Sequence, residues 1–246
     1  MALPKIDTPV YELDLPLSKK HITFRPFLVK EQRNLLMALE ADDSETVEQN
    51  IRQVLINCTI TENIDFDSLP ILDIEYYFLQ LRARSVGEVV QNRYKCNNEV
   101  TKDDGAVKEC GNIMDVDINI LDIKMNMPKD IKDEINITDK ITVKLKYPQF
   151  SFVKRAKNIE SATNLAFDMV AESIESIYDG EQFYYAKETD PAELIEFVES
   201  LSQEQFAKLE EFFNNLPTLN KKVEMTCTKC GFNHSLDVEG LESFFG

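Results

Sequence analysis

Four of the five cysteines form two pairs whose spacing suits a metal site. Cys227 and Cys230 lie two residues apart in "TCTKCG", and Cys96 and Cys110 flank the loop "NNEVTKDDGAVKE". A glycine follows the second cysteine of each pair, where it lets the backbone turn toward the sulfur. A structural Zn²⁺ takes four soft ligands at tetrahedral corners. The two pairs together therefore predict a zinc site, whereas either pair alone is weak evidence.

Two other interpretations of these residues stay open. The cysteines could be ordinary buried thiols, because cysteine is among the residues most often buried. His234 could replace Cys96 or Cys110 as a ligand, although its place in an alternating segment favours a plain strand residue. Cys58 lies on the apolar face of a predicted helix and is interpreted as a structural thiol. Four thiolates would close the site and leave no position for a substrate, which disfavours zinc catalysis.

The elements that must deliver the cysteines are strands. "VVQNRYKC", loop and "CGNIMDVDI" share their layout with "KKVEMTC", short loop and "CGFNHSLDV". In each, one strand ends at a cysteine and Cys-Gly opens the return strand, so we predict two hairpins, the first with an enlarged loop. Such a site would connect parts of the chain separated by 116 residues, from Cys110 to Cys227.

Helical periodicity dominates the remainder of the sequence. We predict helices within 25–87 and 150–216, including one in which Val170, Ile174 and Ile177 share a face. The predicted fold class is therefore α+β: a mainly helical body with a small antiparallel β module resembling a zinc ribbon, assembled from the two distant hairpins.

The chain divides into four predicted segments. The first, 1–87, holds an extended segment and helices, and 88–147 holds strands and the first cysteine hairpin. The third, 148–217, is helical, and 218–246 holds the Cys-x2-Cys hairpin and a short tail that packs with 88–147.

Composition restricts the partners. The chain has 246 residues, 43% of them hydrophobic, which is enough for a folded core. Its 27 basic and 44 acidic residues give a formal charge of −17, which repels nucleic acid and anionic membranes. We expect no signal peptide in "MALPKIDTPVYELDLP" and no membrane-spanning segment, so a reducing cytosol is the expected compartment.

No catalytic motif accompanies the cysteines. The sequence lacks phosphate-binding glycine loops, G-x-S-x-G and H-E-x-x-H, and its two histidines have no catalytic context. Asp115, Asp117 and Asp122 lack the spacing of a calcium loop, and a solvated strand face accounts for them better. The sequence therefore predicts a protein that is not an enzyme.

A zinc-ribbon regulator that binds nucleic acid is the alternative from another class. Nucleic-acid binding favours clustered basic residues, but the sequence around the second cysteine pair contains three lysines and three acidic residues. These residues are Lys221, Lys222, Lys229, Glu224, Asp237 and Glu239. The local charge cancels, which disfavours this alternative.

The C-terminal stretch "LPTLNKKVEMTCTKCGFNHSLDVEGLESFFG" resembles the ending of the baseplate hub assembly proteins of T-even-like tailed bacteriophages. The matching elements are Leu216-Pro217, the segment 227–231, Gly240-Leu241 and Phe244-Phe245. "LRARSVGEVVQNRYKC" is similar to the middle region of that family. The resemblance covers about the last two thirds of the chain, and the first sixty residues show no family motif.

The resemblance implies a non-enzymatic, chaperone-like factor for assembly of the baseplate hub, with hub or tape-measure-type tail proteins as partners. It implies action in the host cytoplasm during assembly, and a structural component of the mature hub, located in the virion tail baseplate, is the alternative. Neither nucleic acid nor membrane is an expected partner, and the sequence does not determine the oligomeric state.

Overall fold

A computed structural model describes residues 6–40, 44–101, 105–156 and 161–239. Within these ranges there are seven α-helices: α1 Val29–Glu40, α2 Ser44–Cys58, α3 Ile71–Ser85, α4 Phe150–Ala156, α5 Ala162–Ser173, α6 Pro191–Glu199 and α7 Gln203–Asn214. Gly240-Leu241 and Phe244-Phe245, which contributed to the resemblance, lie outside the described residues.

The described ranges also contain thirteen short strands: β1 Tyr11–Asp14, β2 His21–Phe24, β3 Val89–Lys95, β4 Glu99–Thr101, β5 Val107–Glu109, β6 Ile113–Asn119, β7 Lys124–Asn126, β8 Glu134–Asn136, β9 Thr142–Leu145, β10 Ile174–Tyr178, β11 Phe183–Tyr185, β12 Thr218–Thr226 and β13 Asn233–Glu239. All pairings are antiparallel and build five sheets, ordered β1-β2, β3-β6, β4-β5, β11-β10-β9-β8 and β13-β12-β7.

The predicted fold class is wrong. The described residues form seven helices and thirteen strands in five small antiparallel sheets, so the protein is a mixed structure without a mainly helical body. The strands are also not gathered in one β module, because the two cysteine hairpins belong to different sheets, β3-β6 and β13-β12-β7.

One cause of this error is the stretch from Ile174 to Tyr178, which was predicted as helix and forms β10. Its apolar residues fit a helical face, but β-branched and aromatic residues also favour strands. Pairing with β9 on one side and β11 on the other decides the outcome. The turn that follows is an Asp-Gly turn, with Gly180 at φ +97° and the Asp179 carboxylate accepting from the Glu181 and Gln182 amides.

The N-terminal core is formed by the β1-β2 hairpin and helices α1 to α3. Tyr77 of α3 is fully buried, its ring meets Phe24 edge-on with centroids 5.3 Å apart, and its hydroxyl lies 2.8 Å from Thr59 Oγ1. Asp73 is also fully buried and accepts from the backbone N–H groups of Leu17 and Ser18. These bonds attach the hairpin to α3 and satisfy a buried carboxylate.

A second core lies between the sheet β8 to β11 and helices α5 to α7. It is centred on Val143, Ile174, Val198 and Leu209, which are at most 1% exposed. Helix α6 begins as predicted, with the Asp190 carboxylate accepting from the Ala192 amide.

Helix α3 connects the N-terminal core to the cysteine hairpins. Its Leu79 packs in a third cluster with Val90 of β3, Ile118 of β6 and Val238 of β13. Both hairpins are therefore held against the same helix, and their cysteine ends reach the same place. The division into four segments stays a prediction. Among the described helices, none combines the length and apolarity that crossing a membrane requires.

Candidate metal centre

The four paired cysteines lie together, with all their sulfur atoms within 4.8 Å of one another. Cys96 Sγ is 3.6 Å from Cys230 Sγ, and Cys110 Sγ is 3.8 Å from Cys227 Sγ. Four sulfurs that each bind one central zinc at about 2.3 Å would be separated by about 3.8 Å. The observed separations are far longer than a disulfide bond of about 2.05 Å. The arrangement is therefore compatible with a tetrahedral metal site.

The first cysteine turn connects β3 to β6. Cys96 follows the last residue of β3, and its N–H donates to the Asn112 carbonyl at 2.7 Å. The Gly111 N–H donates back to the Cys96 carbonyl at 3.0 Å. Gly111 has φ +65°, a conformation that glycine adopts without a steric penalty. The hairpin β4-β5 extends from this turn between Cys96 and Cys110.

The second cysteine turn connects β12 to β13 with the same hydrogen bonds. The Cys227 N–H donates to the Phe232 carbonyl at 2.8 Å, and the Gly231 N–H donates to the Cys227 carbonyl at 2.9 Å. Gly231 has φ +72°. The shared layout that the sequence predicted for the two hairpins is thus present in their backbone geometry.

Three side-chain nitrogens surround the sulfurs. Asn112 Nδ2 donates to Cys227 Sγ at 3.5 Å, and Asn98 Nδ2 donates to Cys230 Sγ at 3.7 Å. His234 Nε2 lies 3.2 Å from Cys96 Sγ. Groups of this kind orient metal ligands and stabilise thiolates.

These three contacts were not predictable from the alternating strand pattern alone. His234 does occupy strand β13, as its alternation indicated, but its imidazole points to the cysteines. The available signal was the C-x2-C-x3-H spacing from Cys227 to His234, which was weighed as a replacement ligand and set below a plain strand residue.

The environment of the sulfurs differs between the two turns. Cys96 is fully buried, and this burial raises the pKa of its thiol. Hydrogen bonds from the backbone N–H groups of Cys230 and Lys229 lower the pKa of the Cys227 thiol to about 6. A thiol with a lowered pKa is readily deprotonated, and the thiolate is the form that binds metal.

Cys58 is separate from this cluster. It is fully buried in the N-terminal core, as predicted, and burial raises the pKa of its thiol to about 11. None of the five cysteines forms a disulfide. The sulfur cluster therefore uses only the four cysteines selected from the sequence.

Several basic side chains on the cysteine hairpins are paired with acids. Arg93 Nε lies 3.2 Å from Asp115 Oδ1, and Lys95 Nζ lies 3.3 Å from Glu109 Oε2. Asp115 is exposed, in agreement with the solvated strand face that the sequence predicted. These pairs reduce the positive charge that a phosphate backbone would need.

A family model described as T4 bacteriophage base plate protein matches residues 8–246. The chain belongs to this family. The match confirms the T4-like resemblance and extends it into the first sixty residues, where no motif was found in the sequence. Neither a curated protein nor a solved structure shows significant similarity to the chain.

Family membership indicates a structural or assembly role in the bacteriophage tail baseplate, together with other tail proteins. A baseplate family also favours a non-enzymatic role. The sulfur cluster lies within the matched range.

Proposed function

We propose that this chain is a non-enzymatic assembly factor for the baseplate hub, which binds hub or tape-measure-type tail proteins before the baseplate closes. The family match over 8–246 carries this proposal. The net charge of −17 supports it, because an acidic surface favours basic partner surfaces and opposes self-association.

We further propose that Cys96, Cys110, Cys227 and Cys230 hold one structural Zn²⁺. The sulfur separations of 3.6 and 3.8 Å support this, as do the two glycine turns and the amide donors around the sulfurs. When bound, the zinc crosslinks the two hairpins, so that its binding free energy contributes to folding. With four thiolates no coordination position remains for a substrate, which supports a role in stability.

A structural component of the mature baseplate hub is the second candidate, favoured by the family description itself. The nucleic-acid regulator has less support, since Arg93 and Lys95 are each paired with an acid. Retention on DNA at moderate salt, weakening as salt rises, would revive that alternative.

The test is a phage with an early stop codon in this gene, compared with the same phage when the chain is supplied in trans. We expect infected cells without the chain to accumulate heads and tail proteins but no closed baseplates, as seen by negative-stain electron microscopy. Normal contractile tails in the absence of the chain would contradict both baseplate roles.

Mass spectrometry of purified virions separates the two candidates. An assembly factor is expected to be absent from the finished particle. A fixed stoichiometry in the tail would instead identify a structural component.

A further inference from the structure

The four-stranded sheet β11-β10-β9-β8 has two edges that differ in how they are protected. At the β8 edge, Lys208 of α7 donates from Nζ to the carbonyls of Asn136, at 3.2 Å, and Ile137, at 3.1 Å. A lysine placed on an edge strand is a usual device against pairing with another chain. Lys208 therefore covers the end of the β8 edge at Asn136.

In the described part of the chain, no strand pairs with the outer side of β11. The Asp179 N–H donates to the Gln182 carbonyl at 3.2 Å, and Ile177 lies opposite Tyr184 in the register. Because hydrogen-bonded pairs alternate in antiparallel strands, Tyr184 bonds to β10 and the backbone groups of Phe183 and Tyr185 point away from the sheet.

Most of these outward groups have no partner. The Tyr185 carbonyl accepts from Thr189 Oγ1 at 3.0 Å. Within the described residues, the N–H and carbonyl of Phe183 and the N–H of Tyr185 have no hydrogen-bond partner. β11 itself contains neither lysine nor proline.

Aromatic side chains line the same edge. Phe183 is 57% exposed and Tyr185 is 44% exposed. The Phe183 ring is tilted against the Tyr178 ring with centroids 4.7 Å apart, and it stacks on the Tyr185 ring with centroids 6.0 Å apart. Lys187 Nζ lies 5.5 Å from the centroid of the Tyr185 ring. Exposed aromatic rings that are already ordered by stacking bind a partner at low entropic cost.

The charge around this edge determines the kind of partner. The segment 175–193 contains six acidic residues and one lysine. Lys144 of β9 pairs with Glu175, and Lys187 pairs with Glu188, so four acids of the segment lie outside these ion pairs. Hydrogen bonds from the Gln182 and Glu181 amides lower the pKa of the Asp179 carboxyl, so that it stays ionised. A second copy of this chain would place two such segments side by side, which like-charge repulsion opposes.

We propose that β11 is a docking edge for an extended, positively charged segment of another protein, which adds to the sheet beside Phe183. The N–H and carbonyl of Phe183 and the N–H of Tyr185 supply the pairing. The aromatic rings contact alternate side chains of the segment, and the acidic residues attract its basic residues. The proposal rests on the proposed function only in assigning that segment to another tail protein.

The test uses the full chain and an end-blocked heptapeptide that alternates lysine with valine. We expect the peptide to slow amide hydrogen exchange at Phe183 and Tyr185 by about tenfold, as newly formed pairing does, without slowing exchange in β8. The control is the same peptide with N-methylated backbone amides on the pairing edge, which keeps the charge but cannot add as a strand. Equal effects of the two peptides would show a purely electrostatic attraction and overturn the proposal.

Two variants locate the site. Phe183→Pro removes the outward N–H at an edge position where proline is tolerated, and Tyr185→Ala removes one ring. Each is expected to weaken peptide binding at least about fivefold, given the share that individual anchor residues contribute. Tyr184→Phe is the matched control, because this residue projects to the other face of the same strand, and it should bind normally.

Three results would contradict the proposal: no protection at millimolar peptide, protection only at β8, or unchanged binding by both test variants. A concentration-dependent dimer that Phe183→Pro abolishes would also overturn it, since the occupant would then be a second copy. These measurements do not involve infection, so the docking edge can fail while the stop-codon phage still lacks baseplates. If instead the peptide binds at β11 and the stop-codon phage builds normal tails, the docking edge is supported and the assembly role is contradicted.

Discussion

The first cysteine turn has thirteen residues between its cysteines and the second has two, yet the same two hydrogen bonds close both. In each turn the first cysteine donates to the carbonyl of the residue after the glycine, and the glycine donates back to that cysteine. Gly111 and Gly231 have nearly the same positive φ, 65° and 72°. The geometry of the turn is therefore set by the first cysteine, the glycine and the residue after it. The number of residues between the cysteines can vary, and in the first turn these residues include the β4-β5 hairpin.

The two turns differ in what lies against their sulfurs. Asn112, from the first hairpin, donates to Cys227 of the second. His234, from the second hairpin, lies against Cys96 of the first. His234 lies opposite Met225 in the second hairpin, and Met114 lies opposite Tyr94 in the first. Met114 therefore occupies in the first hairpin the position that His234 occupies in the second. Similar backbones thus hold different side chains around a shared cluster.

The largest expected effect comes from removing the proposed zinc that connects the two cysteine turns. Cys110→Ser should abolish stoichiometric zinc and lower the free energy of unfolding by several kcal/mol, because the metal's binding energy contributes to folding. For a chain of this size that corresponds to a fall in Tm of roughly 10 °C. Elemental analysis of reduced protein should find about one zinc per chain in the wild type.

Cys58→Ser is the matched control for that prediction. It changes a buried thiol outside the cluster, so some stability is lost but the zinc content stays at the wild-type value. Freshly reduced wild-type protein without zinc would support the buried-thiol interpretation in place of the metal site.

The second prediction separates the two turns by their neighbours. Cys96→Ala leaves His234 beside the vacated position and should bind zinc at least about tenfold more tightly than Cys227→Ala, since a histidine nitrogen can complete a Cys₃His site. Competition with a chromophoric chelator measures both affinities. Adding His234→Ala to Cys96→Ala should remove the advantage, and equal affinities of the two single variants would show that His234 cannot reach the metal.

The third prediction makes the first turn as short as the second. Replacement of residues 97–109 by Thr-Lys should preserve zinc stoichiometry and change the free energy of unfolding by no more than about 2 kcal/mol, because shorter loop closure offsets the lost β4-β5 contacts. Chemical denaturation with zinc analysis tests this. Loss of the metal would show that Asn98 or the long loop is needed to place Cys110.

The smallest effect concerns the two glycines. Gly111→Ala and Gly231→Ala should each cost about 1 kcal/mol, since a β-carbon is disfavoured at positive φ. The costs should be similar because an added β-carbon meets nothing closer than 3.8 Å at Gly111 and nothing within 4 Å at Gly231. Asn at either position should cost less than Ala, and a much larger loss at one glycine in denaturant melts would show that the turns are not equivalent.

Local features of the sequence predicted the two cysteine hairpins correctly. Cys-Gly in matching alternating segments indicates a hairpin end, because the glycine and the strand pattern act over a few residues. The same local reasoning failed at Ile174 and Ile177, where helix and strand patterns fit equally well and pairing with β9 determined the strand. It also could not predict that the hairpins would lie in different sheets, since β12 pairs with β7, a strand far from it in the sequence.

By itself, the sequence determined the acidic charge, the four cysteines and the family resemblance, all of which are properties of residue type and spacing. Only the tertiary structure placed His234 beside Cys96, put Lys208 over the β8 edge and left β11 without a second neighbouring strand among the described residues. These features depend on how elements far apart in the chain pack against one another. The sequence could bring the two cysteine pairs together because a tetrahedral site needs four ligands, whereas no such chemical requirement fixes the positions of His234, Lys208 or β11.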